Sequence, residues 1–149
     1  MNTLKVKIKK LNENAVIPTY AKYGDAGMDL VATSKTSDDS GNIVYGTSLS
    51  FEIPKGYVGL LFPRSSNAKK DLTLSNSVGV LDSSYRGEVM LKFKNTITIS
   101  GQYLECVTYK IGDRIGQIII LPYPQIEFEE AEELSETERG NGGYGSTGN

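Results

Sequence analysis

Ile43-Val44-Tyr45-Gly46-Thr47-Ser48-Leu49-Ser50-Phe51-Glu52-Ile53-Pro54-Lys55-Gly56-Tyr57-Val58-Gly59-Leu60-Leu61-Phe62 decides the fold class. Residues 43–53 and 57–62 are rich in β-branched and aromatic side chains, and Pro54-Lys55-Gly56 punctuates them. That composition predicts strand, turn, strand. The same pattern repeats outward in both directions. Leu4-Lys5-Val6-Lys7-Ile8-Lys9 alternates strictly, as a half-buried strand does. Further strands are predicted at 28–33, 72–75, 88–93, 104–109 and 114–121. Asp38-Asp39-Ser40-Gly41-Asn42, Tyr85-Arg86-Gly87, Ser100-Gly101 and Ile111-Gly112-Asp113 supply turns. Only 65–71 offers a short helix, with Ser65 or Ser66 as its cap. Many short strands at this spacing predict an all-β sandwich, jelly roll or barrel.

The chain changes character after Leu121-Pro122-Tyr123-Pro124, where two prolines stop a strand and stiffen an exit. Residues 125–138 carry seven glutamates and little apolar matter. The predicted organisation is therefore a body over 1–124 and an arm over 125–149. The arm ends Arg139-Gly140-Asn141-Gly142-Gly143-Tyr144-Gly145-Ser146-Thr147-Gly148-Asn149. Arginine, backbone amides and hydroxyls suit phosphate, and an aromatic suits a base. Gly140 to Gly145 also spells G-x-G-x-x-G, but the dinucleotide fingerprint needs a helix after it. Ser146 stands where a P-loop would place lysine. Two readings stay open here: a disordered glycine tail and a phosphate wrap.

The 149 residues are enough for one domain with a real core. A formal net charge of −2 predicts no direct nucleic-acid binding. The absence of histidine leaves a carboxylate, lysine or tyrosine as any general base. A single cysteine, Cys106, suits a reducing compartment. No apolar run approaches the roughly 18 residues of a membrane span. These features predict a cytoplasmic protein without a membrane partner, in the host cytoplasm if the chain is viral.

Four segments of the body carry candidate chemistry. Asp25-Ala26-Gly27-Met28-Asp29-Leu30 sets two acids around a small-residue turn, which is also how an ordinary turn is built. Phe62-Pro63-Arg64-Ser65-Ser66 combines amides, hydroxyls and an arginine into an anion site, or else a simple cap. In Asn76-Ser77-Val78-Gly79-Val80-Leu81-Asp82-Ser83-Ser84-Tyr85-Arg86-Gly87-Glu88-Val89 an apolar run delivers Asp82 to a turn. A carboxylate beside an apolar lining is a candidate base, because desolvation raises its pKa from ~3.9. The alternative is an Asx turn with a packed tyrosine. Gly112-Asp113-Arg114-Ile115-Gly116-Gln117 leads into the most apolar strand, or else is simply a tight turn with an Asp–Arg pair.

These segments and the tail, in order and spacing, resemble the five motifs of the trimeric dUTP diphosphatases (dUTPases). The likeness runs from about Asp25 to Gly148. It is most specific in Gly-Val-Leu-Asp-x-x-Tyr-Arg-Gly and Arg-Gly-x-Gly-Gly-Tyr-Gly-Ser-Thr-Gly. The resemblance implies a jelly-roll (β-clip) subunit whose C-terminal arm is exchanged within a homotrimer. It implies hydrolysis of dUTP to dUMP and pyrophosphate, which limits uracil in DNA and supplies dUMP for dTMP synthesis. Asp82 matches the acid that activates water. Asn76, Gly79 and Met90 match the groups that read uracil, and Tyr85 matches the aromatic under the deoxyribose. Arg64, Ser65, Ser66 and Gln117 match triphosphate contacts. Arg139, Gly145, Ser146 and Thr147 match the lid's phosphate contacts, and Tyr144 matches the aromatic that stacks on uracil. Asp29 and Asp113 match supporting positions. Mg²⁺ in that family is held by phosphates and water, with no protein ligands.

The chain departs from the family's usual pattern at three positions. Tyr144 stands for phenylalanine and can still stack. Gly116 stands for alanine and is expected to matter little. Ser66 stands for glycine, which puts close backbone approach to phosphate in question. The related dCTP deaminases place a glutamate where Leu91-Lys92-Phe93-Lys94-Asn95 has Lys92, and lysine cannot perform that proton transfer. A nucleotide-sensing binding protein with a regulatory protein partner is the reading from another class. An intact Asp82 and arm favour retained catalysis.

Overall fold

The computed structural model describes residues 3–97, 106–143 and 145. Among them the strands, in chain order, are β1 (Lys7–Lys10), β2 (Met28–Val31), β3 (Ser34–Ser37), β4 (Ile43–Gly46) and β5 (Leu49–Glu52). They continue as β6 (Tyr57–Phe62), β7 (Leu72–Leu74), β8 (Gly79–Leu81), β9 (Met90–Asn95) and β10 (Arg114–Pro122). A 3-10 turn spans Ser65–Lys69. The architecture is all-β, and no described helix is long and apolar enough to cross a membrane.

One four-stranded sheet runs β2-β10-β6-β8 and another runs β3-β4-β9-β7, while β1 pairs with β5. Every pairing is antiparallel. Alternation along the strands builds the core between them. On β9, Leu91 and Phe93 are buried while Met90, Lys92 and Lys94 are exposed. Ile115 and Ile118 of β10 meet Leu30, Tyr45 and Leu49 in the same cluster. Tyr45 stands edge-on to Phe93 and Tyr109, with ring centroids 5.8 and 5.9 Å apart. Each such buried ring contributes roughly 1.5–3 kcal/mol of transfer free energy.

The predicted single strand over 43–53 is two strands in different sheets. Ser48 breaks it with φ 53°, a left-handed conformation. Its amide donates to Glu88 Oε1 at 2.8 Å, and the buried Thr47 hydroxyl donates to the Val89 carbonyl at 2.7 Å. Partners some 40 residues downstream thus take over the ladder's bonds at this point. Residues 57–62 form the strand predicted for them, whereas the N-terminal strand shifts to Lys7–Lys10 and the one predicted at 88–93 shifts to Met90–Asn95. Strand 104–109 is not formed over its described part. Asp71 Oδ2 accepts the Val107 amide at 2.6 Å and Val107 returns its carbonyl to the Asp71 amide at 2.9 Å, so a side chain replaces a ladder partner. The turn at Ser65–Lys69 is capped by Arg64 in an extended conformation with no side-chain cap, not by Ser65 or Ser66. Ser66 Oγ instead accepts from Arg64 Nη1 at 3.1 Å.

Candidate active site

A pocket of about 350 Å³ opens where β7 and β8, the edge strands of the two large sheets, approach each other. Asn76, Gly79, Asp82, Tyr85 and Met90 all line it. The sequence-predicted base-and-sugar residues are therefore brought together. The connection from β7 to β8 turns at Ser77, φ 62°, with the Val78 amide donating to the Asn76 carbonyl at 2.6 Å. Gly79 is buried against β6, and a Cβ there would lie 2.9 Å from Leu61 Cβ. Asp82 closes a turn in which its carbonyl accepts the Tyr85 amide at 3.0 Å. Its side chain is exposed, so the apolar run before it does not bury it within one chain.

Tyr85 is oriented from two sides. Its hydroxyl donates to the Glu88 carbonyl at 3.0 Å. Its ring lies where a side chain on Gly87 would be, since a Cβ there would come within 2.6 Å of Tyr85 Cζ. Behind the pocket, Ser75 Oγ donates to Asn42 Oδ1 at 2.6 Å and Asn42 Nδ2 donates to both Asp38 oxygens at 3.0 Å. Lys92 Nζ completes this group, 3.0 Å from Asp38 Oδ2. The position that deaminases fill with glutamate is here tied to the β3–β4 turn. The Asn42 amide and the Lys92 ammonium together hold the Asp38 carboxyl far below the usual carboxylate range.

A second cluster lies across β2, β10 and β6, where Gln117 pairs in register with Asp29 and with Phe62. Asp29 Oδ1 accepts from Arg64 Nε at 2.7 Å and Oδ2 from Arg114 Nη1 at 3.3 Å. Gln117 Nε2 donates to the Pro63 carbonyl at 3.1 Å, and its amide lies against Gly27, where a Cβ would collide with it. Asp25, Gly27, Asp29 and Gln117 line a pocket of about 380 Å³. Arg64, Ser66, Gln117 and Asp29 are thus joined, with exposed Ser65 beside them. Asp113 does not pair with Arg114. Its Oδ2 accepts the Lys110 amide at 2.8 Å and closes the turn at Gly112, φ 92°. The sequence reading missed Arg114 as a partner of Asp29, and its adjacency to Asp113 concealed the longer-range pair. Gly116, expected to matter little, is tightly enclosed: a Cβ would meet Leu91 Cδ2 and lie 2.9 Å from the Phe62 carbonyl oxygen.

The two pockets share no lining residue and lie by β2 and β8, the opposite edges of one sheet. Residues 125–139 are exposed throughout. Arg139 Nε donates to the Gly142 carbonyl at 2.8 Å, and Gly140 and Gly145 have φ of 51° and 83°. Tyr144, Ser146 and Thr147 lie outside the described residues. Among those described, no group of three or more carboxylates or thiols is placed to hold a metal ion.

A family model described as dUTPase matches residues 13–148. The chain belongs to the dUTPase family. A relative from Nautilia profundicola named deoxyuridine 5'-triphosphate nucleotidohydrolase is 43% identical over 147 residues, covering 97% of this chain and 99% of its own length. The dUTPase of Staphylococcus bacteriophage 80alpha, solved with dUpNHpp, superposes with a TM-score of 0.84 at 29% identity over 98% of this chain and 99% of the phage chain. A mutant dUTPase of phage phi11 of S. aureus, with a structural Mg(II) ion, superposes at a TM-score of 0.73 with 27% identity over 87% of this chain and 98% of its own. The β7–β8 connection leading to Asp82 and the Arg64 turn of this dUTPase chain lie inside the matched span.

Proposed function

We propose that this chain is a dUTP diphosphatase, releasing dUMP and pyrophosphate, and that its active site is completed by other copies in a homotrimer. The separation of the Asp82 pocket from the Asp29–Arg64–Gln117 cluster carries this reading. One chain supplies the base-and-sugar pocket at one sheet edge and the phosphate cluster at the other, so assembly must bring unlike edges together. The arm over 125–149, exposed along 125–139, is the natural bridge, with Arg139 and Gly145 contacting phosphate and Tyr144, Ser146 and Thr147 completing the lid.

In this reading Asn76, Gly79 and Met90 recognise uracil, and the tight β7–β8 connection leaves no room for a 5-methyl group. Tyr85 floors the deoxyribose and excludes a 2′-hydroxyl. Arg64, Ser65, Ser66 and Gln117 bind the triphosphate. Asp82 accepts a proton from water as the water oxygen bonds to the α-phosphorus. The bond from that phosphorus to the bridging oxygen breaks in line, and pyrophosphate leaves. The lid over exposed Asp82 would exclude bulk water during this step. Asp29 is already engaged by two arginines. Mg²⁺ carried on the substrate's phosphates would neutralise their charge and set their conformation. Asp113 supports the site only by closing its turn.

Pyrophosphate release measured across dUTP, dTTP, dCTP and UTP tests the reading. A strong preference for dUTP is expected. Equal rates on UTP would remove the sugar assignment to Tyr85, and ammonia release from dCTP would make the chain a deaminase.

A further inference from the structure

The turn bearing Arg64, Ser65 and Ser66 buries none of its own residues and lacks a side-chain cap. Its inward anchor is Asn67. Asn67 Nδ2 donates to the Leu72 carbonyl at 2.8 Å, and Asn67 Oδ1 accepts from the Tyr109 hydroxyl at 2.9 Å. Tyr109 is only 2% exposed and its ring packs on Tyr45 and Phe93. Its carbonyl accepts from the Tyr45 hydroxyl at 3.0 Å and from Lys35 Nζ at 3.1 Å. Lys70 Nζ sits 5.1 Å above its ring. The hydroxyl is therefore fixed by the core. Burial pushes its pKa up, against an opposing pull from Arg64 and Ser66 of the turn, so it stays a neutral donor. On the outer side, Arg64 reaches Ser66 Oγ and the Asp29 carboxylate.

We propose that Tyr109 and Asn67 are positioning residues for triphosphate binding: the buried hydroxyl fixes Asn67, Asn67 fixes the 64–69 turn, and the turn aims Arg64 and Ser65 at the phosphates. The proposal rests on the reading of Arg64 and Ser65 as phosphate contacts. It also gives Ser66 a role in place of glycine, since its hydroxyl steadies Arg64. Neither Tyr109 nor Asn67 lines either pocket, so both act at a distance on the phosphate end and leave the uracil pocket alone.

The test compares the parent with Tyr109→Phe, Asn67→Ala, the double variant and Arg64→Ala. Affinities are measured for a non-hydrolysable imido analogue of dUTP and for dUMP, together with kcat, KM and thermal melting. Each single variant is expected to bind the triphosphate analogue about 3- to 10-fold more weakly while dUMP affinity changes less than about 2-fold. The double variant should lose little more than the worse single, as coupled residues do. Unchanged triphosphate binding, or equal losses for both ligands, overturns the proposal. If Tyr109→Phe melts below assay temperature, Asn67→Ala decides by the same criterion. An Arg64→Ala variant with parental triphosphate affinity overturns the phosphate assignment of the turn, and the proposal with it.

Discussion

Asp29 Oδ1 accepts the Arg64 Nε proton at 2.7 Å, joining β2 to the turn after β6 across 35 residues of sequence. Both side chains are 28% exposed, so the pair is partly shielded from solvent and fixes the guanidinium's direction. Asp29→Asn keeps the shape and removes the charge. It is expected to lower kcat/KM for dUTP about 10- to 100-fold, the range of a charge-assisted hydrogen bond. Steady-state kinetics would check this, and a parental value would show that Arg64 needs no such guide.

Asp82 lines the pocket between β7 and β8 with an exposed carboxylate. Asp82→Asn is expected to reduce kcat by at least about 10²-fold, as loss of a general base does, with dUTP affinity largely kept. Single-turnover pyrophosphate release beside equilibrium binding separates the two effects. Turnover at the parental rate would remove Asp82 from the chemistry.

A chain ending before Arg139 keeps every member of the described buried cluster, which ends at Ile118. Its melting temperature and sedimentation should match those of the full chain while most dUTP hydrolysis is lost. A fully active truncated protein would show that the glycine-rich end is idle.

The Asp38 carboxyl is held low by the Asn42 amide first and Lys92 second. A carboxyl depressed in the folded state stabilises above its unfolded pKa, near ~3.9, and that contribution is lost as pH falls toward the folded value. Asp38→Ala should therefore melt earlier than the parent at pH 6, with the gap narrowing below about pH 4. Lys92→Met should reduce the gap too, since it removes one of the two partners. A gap independent of pH would assign the effect to packing of the turn.

Much of this was legible in the chain itself. Residues 57–62 were readable because apolar residues with a turn before them specify a strand locally. The Asn76–Met90 pocket was readable because its residues are close in sequence as well as in space. What escaped was set by distant partners. Ser34–Ser37 is exposed and polar at every position, so no alternation marks it. The break at Ser48 depends on Glu88, and the Arg114–Asp29 pair spans 85 residues. The N-cap of the 64–69 turn is Arg64, and Ser66 is engaged with Arg64's own guanidinium rather than with the turn's amides.

The seat of Tyr85 is secured by a side chain that does not exist. Its ring fills the volume that any Cβ on residue 87 would claim. On the proposed reading, with Tyr85 as the floor beneath the sugar, discrimination against ribonucleotides would be inherited at two codons, only one of which encodes a residue that meets the substrate. On the same reading, a substitution at Gly87 is expected to displace the ring and raise the rate on UTP while leaving every contacting residue unchanged. Fidelity of that kind would be stored in a missing Cβ, where a search for substrate contacts would not find it.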